Sequence, residues 1–314
     1  MTFSAGLGLG TFPFDDGAGF WEWVDLCENG GVGTIWHSDR LVGREPNLEC
    51  MSVMAALAGR TRRLRFGMNV ASLGLRDPFL LAKACATIDV LSGGRLLPMV
   101  AVGSAVGSDY RARGVPTKGR GQRTDEGLEI MTRLWTEAEI DFDGRHYQYR
   151  GASIAPQPVQ DPMPLWVGGV APAAIERTAR WGTGWQAGLE TPAQVRPVVE
   201  AIRARTEALG RTIDEDHYGA GFGFRFGTPG DAASRRHLAA LERRLGDAAK
   251  VDDYVVVGDE EAIMARVRAY RDAGIHKFVL RPMSDGTADT IDQTRRLVER
   301  VLPEIAAMNR AAAA

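Results

Sequence analysis

The chain has 314 residues, and its acidic and basic side chains nearly cancel, which leaves a formal net charge of −2. Because Lys and Arg are spread along the sequence, no basic block indicates a nucleic-acid partner. No apolar run reaches the ~18 residues of a membrane span, and no basic stretch precedes an apolar one at the start of the chain. We therefore expect a cytoplasmic protein with neither nucleic acid nor membrane as a partner.

Cysteine and histidine spacing argues against disulfide and metal chemistry. Cys27, Cys50 and Cys85 are odd in number and scattered, so they predict reduced core thiols rather than a disulfide framework or a CxxC site. The five histidines have neither HxH nor HExxH spacing. The sequence therefore predicts no metal site.

Strand-like and helix-like segments alternate along the whole chain, which is typical of a parallel α/β fold. The predicted strands are 4–10, 33–37, 64–70, 96–102, 164–168, 184–187, 218–226 and 277–281. The predicted helices are 19–29, 47–58, 77–90, 124–135, 172–181, 192–209, 259–273 and 285–305. Eight such pairs predict an α/β fold of the (β/α)8 TIM-barrel class, formed by residues 1–314 as a single domain, with its site at the carboxyl ends of the strands.

Two connections are too long for simple turns, and they follow the fourth and seventh predicted strands at 105–163 and 227–251. The first contains a helical stripe, a predicted hairpin around Asp143–Gly144 and a Pro-rich segment. The second is polar with helical runs. Extended loops of this length are usually lids or binding elements, so we expect them to determine the substrate.

The clearest unit along the chain is the βαβ segment 64–103. Asp77 and Pro78 predict the start of its helix, because one can cap the first turn and the other has no N–H to satisfy there. Ser92-Gly93-Gly94 predicts the helix end. Asp89 and Arg95 flank that turn, and residues of these types usually hold a turn in place, which we favour over a catalytic role.

Glycines alternate with larger residues in the first and seventh predicted strands. Period-two alternation places them on one face of each strand. They are Gly6, Gly8 and Gly10 in the first strand, and Gly219, Gly221 and Gly223 in the seventh. Such a face leaves either volume for a flat ligand or room for closely packed neighbours, and the pattern alone does not choose.

A glycine-rich turn follows the fifth predicted strand. Gly168, Gly169, Val170 and Ala171 lead directly into a helix that begins at Pro172. Backbone N–H groups and the positive end of a helix can face an anion here, so this turn predicts a phosphate site.

Aromatic and imidazole side chains lie near other predicted strand ends. Phe12 follows the first strand, His37 ends the second, and Trp185 lies in the sixth. They are candidates for the wall of a substrate pocket, with plain core packing as the alternative for the aromatic rings.

Several motifs occur together and in order along nearly the whole chain. They are LAKACATID from Leu81, SGGRL from Ser92, RGQRTDE from Arg120, PQPVQ from Pro156 and PLWVGG from Pro164. With them the chain resembles the bacterial luciferase-like oxidoreductase superfamily. The resemblance implies a flat redox cofactor, reduced FMN or the deazaflavin coenzyme F420, lying across the carboxyl ends of the barrel strands.

The resemblance also implies roles for residues at two strand ends. Asn69–Val70 matches the place of a strained peptide, often cis, which forms a bulge with Val70 against the cofactor ring. Such a bond without proline costs roughly 3 kcal/mol, so it persists only where function or packing requires it. Gly103 and Ser104 are expected beside the phosphate-bearing tail of the cofactor.

The chain departs from the superfamily at the end of the second strand. The superfamily commonly has Asp-His or Glu-His there, whereas this chain has Asp39-Arg40. An arginine cannot shuttle protons near neutral pH, but it can hold an anionic oxygen. Asp39 and Arg40 are the catalytic candidates, and the alternative is that they form an ion pair with each other on the surface.

The resemblance implies an oxidoreductase acting on a small organic substrate, with reduced cofactor supplied by a separate reductase or dehydrogenase. The stretches RGQRTDEGLEIM and DFDGRHY look like the deazaflavin-using branch and favour hydride transfer with F420. One alternative is a two-component monooxygenase using reduced FMN and oxygen. Another is a non-catalytic flavin-binding relative, for which Arg40 is the best support. We also expect a homodimer, since helix 77–90 is apolar around much of its circumference and superfamily members commonly dimerise through neighbouring helices.

Overall fold

The computed structural model describes residues 2–104, 107–246 and 250–313. Its strands are β1 (Ser4–Leu9), β2 (Thr34–His37), β3 (Arg65–Met68), β4 (Ala71–Ser72), β5 (Leu96–Leu97), β6 (Met99–Ala101), β7 (Ile140–Asp143), β8 (Gln148–Ala152), β9 (Trp166–Gly168), β10 (Gly184–Gln186), β11 (Tyr218–Ala220), β12 (Gly223–Phe226), β13 (Val255–Gly258) and β14 (Lys277–Pro282). Its helices are α1 (Gly17–Asn29), α2 (Cys50–Arg60), α3 (Pro78–Ser92), α4 (Ser108–Ala112), α5 (Arg120–Leu134), α6 (Pro172–Trp181), α7 (Pro192–Ala208), α8 (Ala232–Leu245), α9 (Glu260–Asp272), α10 (Gly286–Arg300) and α11 (Leu302–Ala313).

The chain divides into two compact units. The first unit is Met1–Trp36, Gln186–Ala201 and Asp214–Ala314, and the second is His37–Trp185 and Ile202–Ile213. In the first unit, β1, β11 and β12 each pair with β14 in parallel, and β13 pairs with β12. Trp23 Nε1–H of α1 donates to Thr294 Oγ1 of α10 over 2.9 Å. The first unit thus has the parallel strands and packed helices that the alternating pattern predicts.

The second unit contains parallel strands and one hairpin. β3 pairs with β5, and β6 pairs with both β4 and β9, all in parallel. β7 and β8 pair antiparallel on either side of Gly144, which confirms the hairpin predicted there. Because β4, β6 and β9 are parallel neighbours, the residues that follow them come to the same edge of the sheet.

Both ends of α3 have the predicted capping. Asp77 accepts a hydrogen bond from the N–H of Leu80 over 2.9 Å, and Pro78 is the first helical residue. Gly93, with φ of 66°, ends the helix in the left-handed conformation. These local signals are confirmed because capping depends only on residues within one turn of the helix end.

Arg95 and Asp89 are structural residues, as the sequence predicts. The Arg95 guanidinium donates to the carbonyl oxygens of Ala58 and Leu64 over 3.0 and 2.8 Å, and to those of Thr61 and Ser92 over 3.0 and 2.7 Å. Fully buried Asp89 accepts from the backbone N–H groups of residues 159 and 160 over 2.8 and 3.0 Å. Both side chains therefore hold backbone segments together and are unavailable for catalysis.

The glycine faces of the first and seventh predicted strands are closely packed. A Cβ on Gly6 would lie 1.9 Å from Thr34 Oγ1, and one on Gly221 would lie 1.8 Å from the carbonyl oxygen of Val279. Thr34 and Val279 of neighbouring strands therefore occupy the space beside these two glycines. Of the two alternatives, close packing applies here, whereas a Cβ on Gly10 would meet nothing within 4 Å.

One predicted strand ends early in the structure and two are interrupted. Segment 64–70 contains only β3, which ends at Met68, and β4 begins beyond the segment at Ala71; segment 96–102 divides into β5 and β6 at Pro98, and segment 218–226 into β11 and β12 at Gly221–Phe222. Pro98 has no N–H to donate to a neighbouring strand, which accounts for the break at that residue. Apolar runs show where a strand lies but not where its pairing stops.

The long connections and the C-terminal helix also differ in detail from the prediction. Segment 227–251 contains α8, and β13 follows it as an unpredicted strand because VVVG is too short to display a period. The predicted helix 285–305 is divided into α10 and α11. Residues 105–106 and 247–249 of the two predicted connections lie outside the described residues.

Cys27, Cys50 and Cys85 are buried and free, as predicted. Among the described residues, no helix combines the length and apolar character that crossing a membrane would require.

Candidate functional site

Three predicted cofactor-binding segments meet at one edge of the second unit. They are Asn69–Val70 before β4, Gly103–Ser104 after β6, and Gly168–Ala171 from the end of β9, and together they are called the strand-end site. A Cβ built on Gly168 would lie 3.7 Å from Val70 Cγ2, in ordinary van der Waals contact. The strand pairing therefore brings Val70 directly beside the glycine turn.

The peptide bond Asn69–Val70 is cis. The N–H of Asn69 donates to the carbonyl oxygen of His37 over 2.7 Å, and the next strand, β4, begins at Ala71. The cis peptide expected from the resemblance is therefore confirmed, and the contact of Val70 with a cofactor ring remains a prediction.

The glycine turn presents open backbone donors. Gly169 has φ of 115°, and its carbonyl oxygen accepts a 2.8 Å hydrogen bond from the indole N–H of Trp185. Within the part of the chain that the structure describes, the N–H groups of Val170, Ala171 and Ala173 have no hydrogen-bond acceptor. The N-cap residue Ala171 supplies no side-chain acceptor either, so this helix end can bind an anion through its main chain.

Gly103 brings the β6 end close to β4. It has φ of 78°, and a Cβ there would lie 3.0 Å from Ser72 Oγ and 3.1 Å from Tyr110 Cε2. Tyr110 is buried and donates from its hydroxyl to the carbonyl oxygen of Val102 over 2.6 Å. Ser104 is exposed beside it. Sequence reasoning missed Tyr110, since a tyrosine in a long connection gives no signal of what it will support.

The three predicted pocket residues have largely packed surroundings. Trp185 is fully buried and His37 is 1% exposed, so neither lines an open pocket. In the first unit, the partly exposed ring of Phe12 lies 5.3 Å from that of Phe14 and 6.0 Å from that of Phe20, centroid to centroid. Core packing, the alternative for the aromatic rings, describes buried Trp185 and the contacts of Phe12 with Phe14 and Phe20.

His37 is held as a buried, neutral imidazole. Its Nε2 lies 2.9 Å from the carbonyl oxygen of Leu48, which requires a proton on that nitrogen. Burial lowers the pKa of His37, with a smaller opposing contribution from the hydrogen bond to Leu48. The residue therefore carries no charge at neutral pH.

Asp39 is paired with Arg76 and not with its neighbour Arg40. Arg76 Nη2 donates to Asp39 Oδ1 over 2.7 Å and Nε donates to Oδ2 over 3.2 Å, while the N–H of Ser72 donates to Oδ2 over 3.1 Å. The Asp39 side chain is only 3% exposed. The alternative of a surface pair between Asp39 and Arg40 is therefore wrong, because the carboxylate turns inward to a guanidinium 37 positions along the chain.

Arg40 is left with an uncompensated charge. It is partly exposed, and within residues 2–104, 107–246 and 250–313 it has no ion pair or hydrogen bond. The role of its guanidinium in holding an anionic oxygen remains a prediction.

Comparison with known proteins identifies the family. Residues 3–277 match the model of the luciferase-like monooxygenases. An uncharacterized protein of Mycobacterium tuberculosis is 36% identical over 173 residues, which are 54% of this chain and 57% of that protein, so the match spans little more than half of that relative. An F420-dependent glucose-6-phosphate dehydrogenase of Amycolatopsis mediterranei is 29% identical over 91% of this chain and 94% of its own.

A solved structure confirms the α/β fold class. The monooxygenase RslO1 from Streptomyces bottropensis superposes with a TM-score of 0.82 at 22% identity, over 96% of this chain and 99% of its own. At this identity the likeness concerns the fold. Together with the family match over residues 3–277, it establishes that the chain belongs to the luciferase-like monooxygenase family.

Proposed function

We propose that the chain is an oxidoreductase that binds a reduced flavin-type cofactor, coenzyme F420 or FMN, at the strand-end site. The observation that carries this proposal is the position of Val70, whose Cγ2 lies 3.7 Å from where a Cβ on Gly168 would be, at the start of a turn whose N–H groups at Val170 and Ala171 have no acceptor among the described residues. The apolar side chain of Val70 beside the N-terminal end of α6 suits a planar ring that carries a phosphate on its tail. The F420-dependent relative from Amycolatopsis supports F420 over FMN.

The residues of the site fit such a group. The N–H groups of Val170 and Ala171 would donate to the phosphate, and Gly169 would let the backbone approach it without a side chain in the way. Val70 would pack against the ring, and Gly103 and Ser104 would lie along the tail. The bound cofactor would supply hydride transfer if it is F420, or oxygen chemistry if it is FMN.

Arg40 is the proposed substrate-side residue. Because Asp39 is paired with Arg76 and not with Arg40, the guanidinium of Arg40 would bind and orient an anionic oxygen of a small organic substrate. Asp39 would contribute by holding the strand ends and not by exchanging protons, since both of its oxygens already accept hydrogen bonds.

The remaining expectations about architecture and partners belong to the same proposal. We propose that the strands close as a (β/α)8 barrel in a single domain, with extended loops after strands 4 and 7 of that barrel, and that reduced cofactor comes from a separate reductase or dehydrogenase. We also propose a cytoplasmic homodimer. On α3, Leu80 and Leu91 are 67% and 66% exposed, which is apolar surface that a second copy would cover.

Cofactor titration tests the proposal. The purified chain should bind reduced F420 in an anaerobic fluorescence titration, and binding of reduced FMN alone, followed by oxygen consumption with substrate, would favour the two-component monooxygenase. Failure to bind either would refute the function. Single-turnover oxidation of the bound reduced cofactor, with and without candidate substrates, separates an enzyme from a non-catalytic flavin-binding relative, the alternative that Arg40 supports.

A further inference from the structure

We infer that Arg76 is a positioning residue for the strand-end site, acting through Asp39 on the backbone that follows the Asn69–Val70 peptide. This inference rests on the proposed function, because the residues that Arg76 would position are those assigned to the cofactor. Sequence reasoning did not single out Arg76, which precedes the helix start at Asp77–Pro78 and there resembles an ordinary turn residue.

Arg76 joins three segments of the second unit. Its guanidinium holds both oxygens of Asp39 at the end of β2, and Nη2 also donates to Glu49 Oε1 over 2.9 Å and to Cys50 Sγ over 3.3 Å at the start of α2. Asp39 in turn accepts the N–H of Ser72 in β4. Arg76 therefore joins Asp39 directly to the start of α2, and it reaches Ser72 of β4 through the Asp39 carboxylate.

The cluster is organised around the guanidinium. Asp39, Glu49 and Cys50 have ligand atoms within 4.8 Å of one another, a spacing that could also hold a metal ion, but Arg76 already donates to all three. Burial raises the pKa of Cys50, so this thiol stays neutral. The charged groups of the cluster are therefore the Arg76 guanidinium and the carboxylates of Asp39 and Glu49. The planar fork of an arginine can hold both Asp39 oxygens at once, which a lysine ammonium cannot.

Asp39 transmits this restraint to the cofactor side. Ser72 lies two residues after Val70, and its Oγ is 3.0 Å from where a Cβ of Gly103 would be. A shift of β4 at Ser72 would therefore displace both Val70 and the wall beside Gly103. Loss of Arg76 should act on cofactor binding without removing any residue that touches the cofactor.

The test compares Arg76→Met and Arg76→Lys with wild type in anaerobic titrations with reduced F420 and reduced FMN. Residues that orient metal ligands typically contribute about 10- to 100-fold in affinity, and we expect Arg76→Met to weaken cofactor binding by a comparable factor. Arg76→Lys should recover part of the affinity, because it restores the charge but not the fork. Urea unfolding checks that each variant is folded.

A double-variant cycle separates positioning from general stabilisation. If Arg76 acts through Asp39, the combined Arg76→Met and Asp39→Ala variant should bind no more weakly than the weaker single variant, within about twofold. Arg205→Met is the matched control: Arg205 forms a two-bond pair with Glu176, at 2.6 and 2.9 Å, in the same unit. Its loss should leave cofactor affinity unchanged.

Amide hydrogen exchange at Ser72 provides a readout that needs no cofactor. Both Arg76→Met and Asp39→Ala should speed exchange of the Ser72 N–H, and Arg205→Met should not. Three results would each overturn the inference. They are unchanged cofactor affinity in folded Arg76→Met, a double variant whose loss of affinity is the product of the two single losses, and an unchanged exchange rate of the Ser72 N–H. If wild type binds neither cofactor while Ser72 exchange responds as expected, the proposed function fails and the Arg76–Asp39–Ser72 linkage stands.

Discussion

Replacement of Gly169 by alanine tests the glycine turn most directly. Its φ of 115° is a conformation that residues with a Cβ rarely adopt, and holding one there costs roughly 1–3 kcal/mol. The new Cβ would also lie 3.1 Å from Ala174 Cβ, which is closer than carbon atoms normally approach. We therefore expect Gly169→Ala to lower the free energy of unfolding by about 2 kcal/mol and to turn the peptide groups that face the anion.

Gly168→Ala is the matched control for stability. A Cβ at Gly168 would meet Ala101 Cβ at 3.6 Å and Val70 Cγ2 at 3.7 Å, both ordinary contacts. Its free energy of unfolding should stay within about 0.5 kcal/mol of wild type.

Urea unfolding and anaerobic cofactor titration, run on both glycine variants, measure the two effects. A displaced set of amide donors should weaken binding to Gly169→Ala by at least about tenfold, equivalent to 1.4 kcal/mol. If Gly169→Ala unfolds like wild type and binds cofactor undiminished, both the assigned backbone conformation and the main-chain phosphate site are refuted.

Three further changes probe the surroundings of the site. His37→Gln should flatten the pH dependence of the unfolding free energy between pH ~7 and ~5, as measured by urea unfolding. Because burial lowers the pKa of His37 in the folded state, its contribution to stability is present above pH ~6.5 and is lost on acidification. Trp185→Phe should cost about 1–3 kcal/mol by leaving the Gly169 carbonyl oxygen unpaired, and equal stability would contradict this. Arg95→Ala should cost about 3 kcal/mol in the same assay, with Arg95→Lys recovering less than half.

Sequence alone determined the features whose causes are local. The caps of α3, the hairpin at Asp143–Gly144 and the glycine turn before α6 each depend on a few adjacent residues with restricted backbone choices. The family motifs carried the place of the cis peptide, although no local signal explains it. The alternation of strands and helices similarly predicted the α/β class.

Tertiary structure decided which distant groups meet. Asp39 could be predicted to lie at a strand end, but its choice of Arg76 over adjacent Arg40 depends on how the second unit brings Arg76, Glu49 and Ser72 around the carboxylate. The burial of Trp185 against Gly169 likewise depends on the pairing of separate segments. The partners of Asp39 and of the Gly169 carbonyl oxygen depend on distance in the folded protein and on the cost of burying an unpaired charge or carbonyl. Neither quantity can be read from the spacing of residues along the chain.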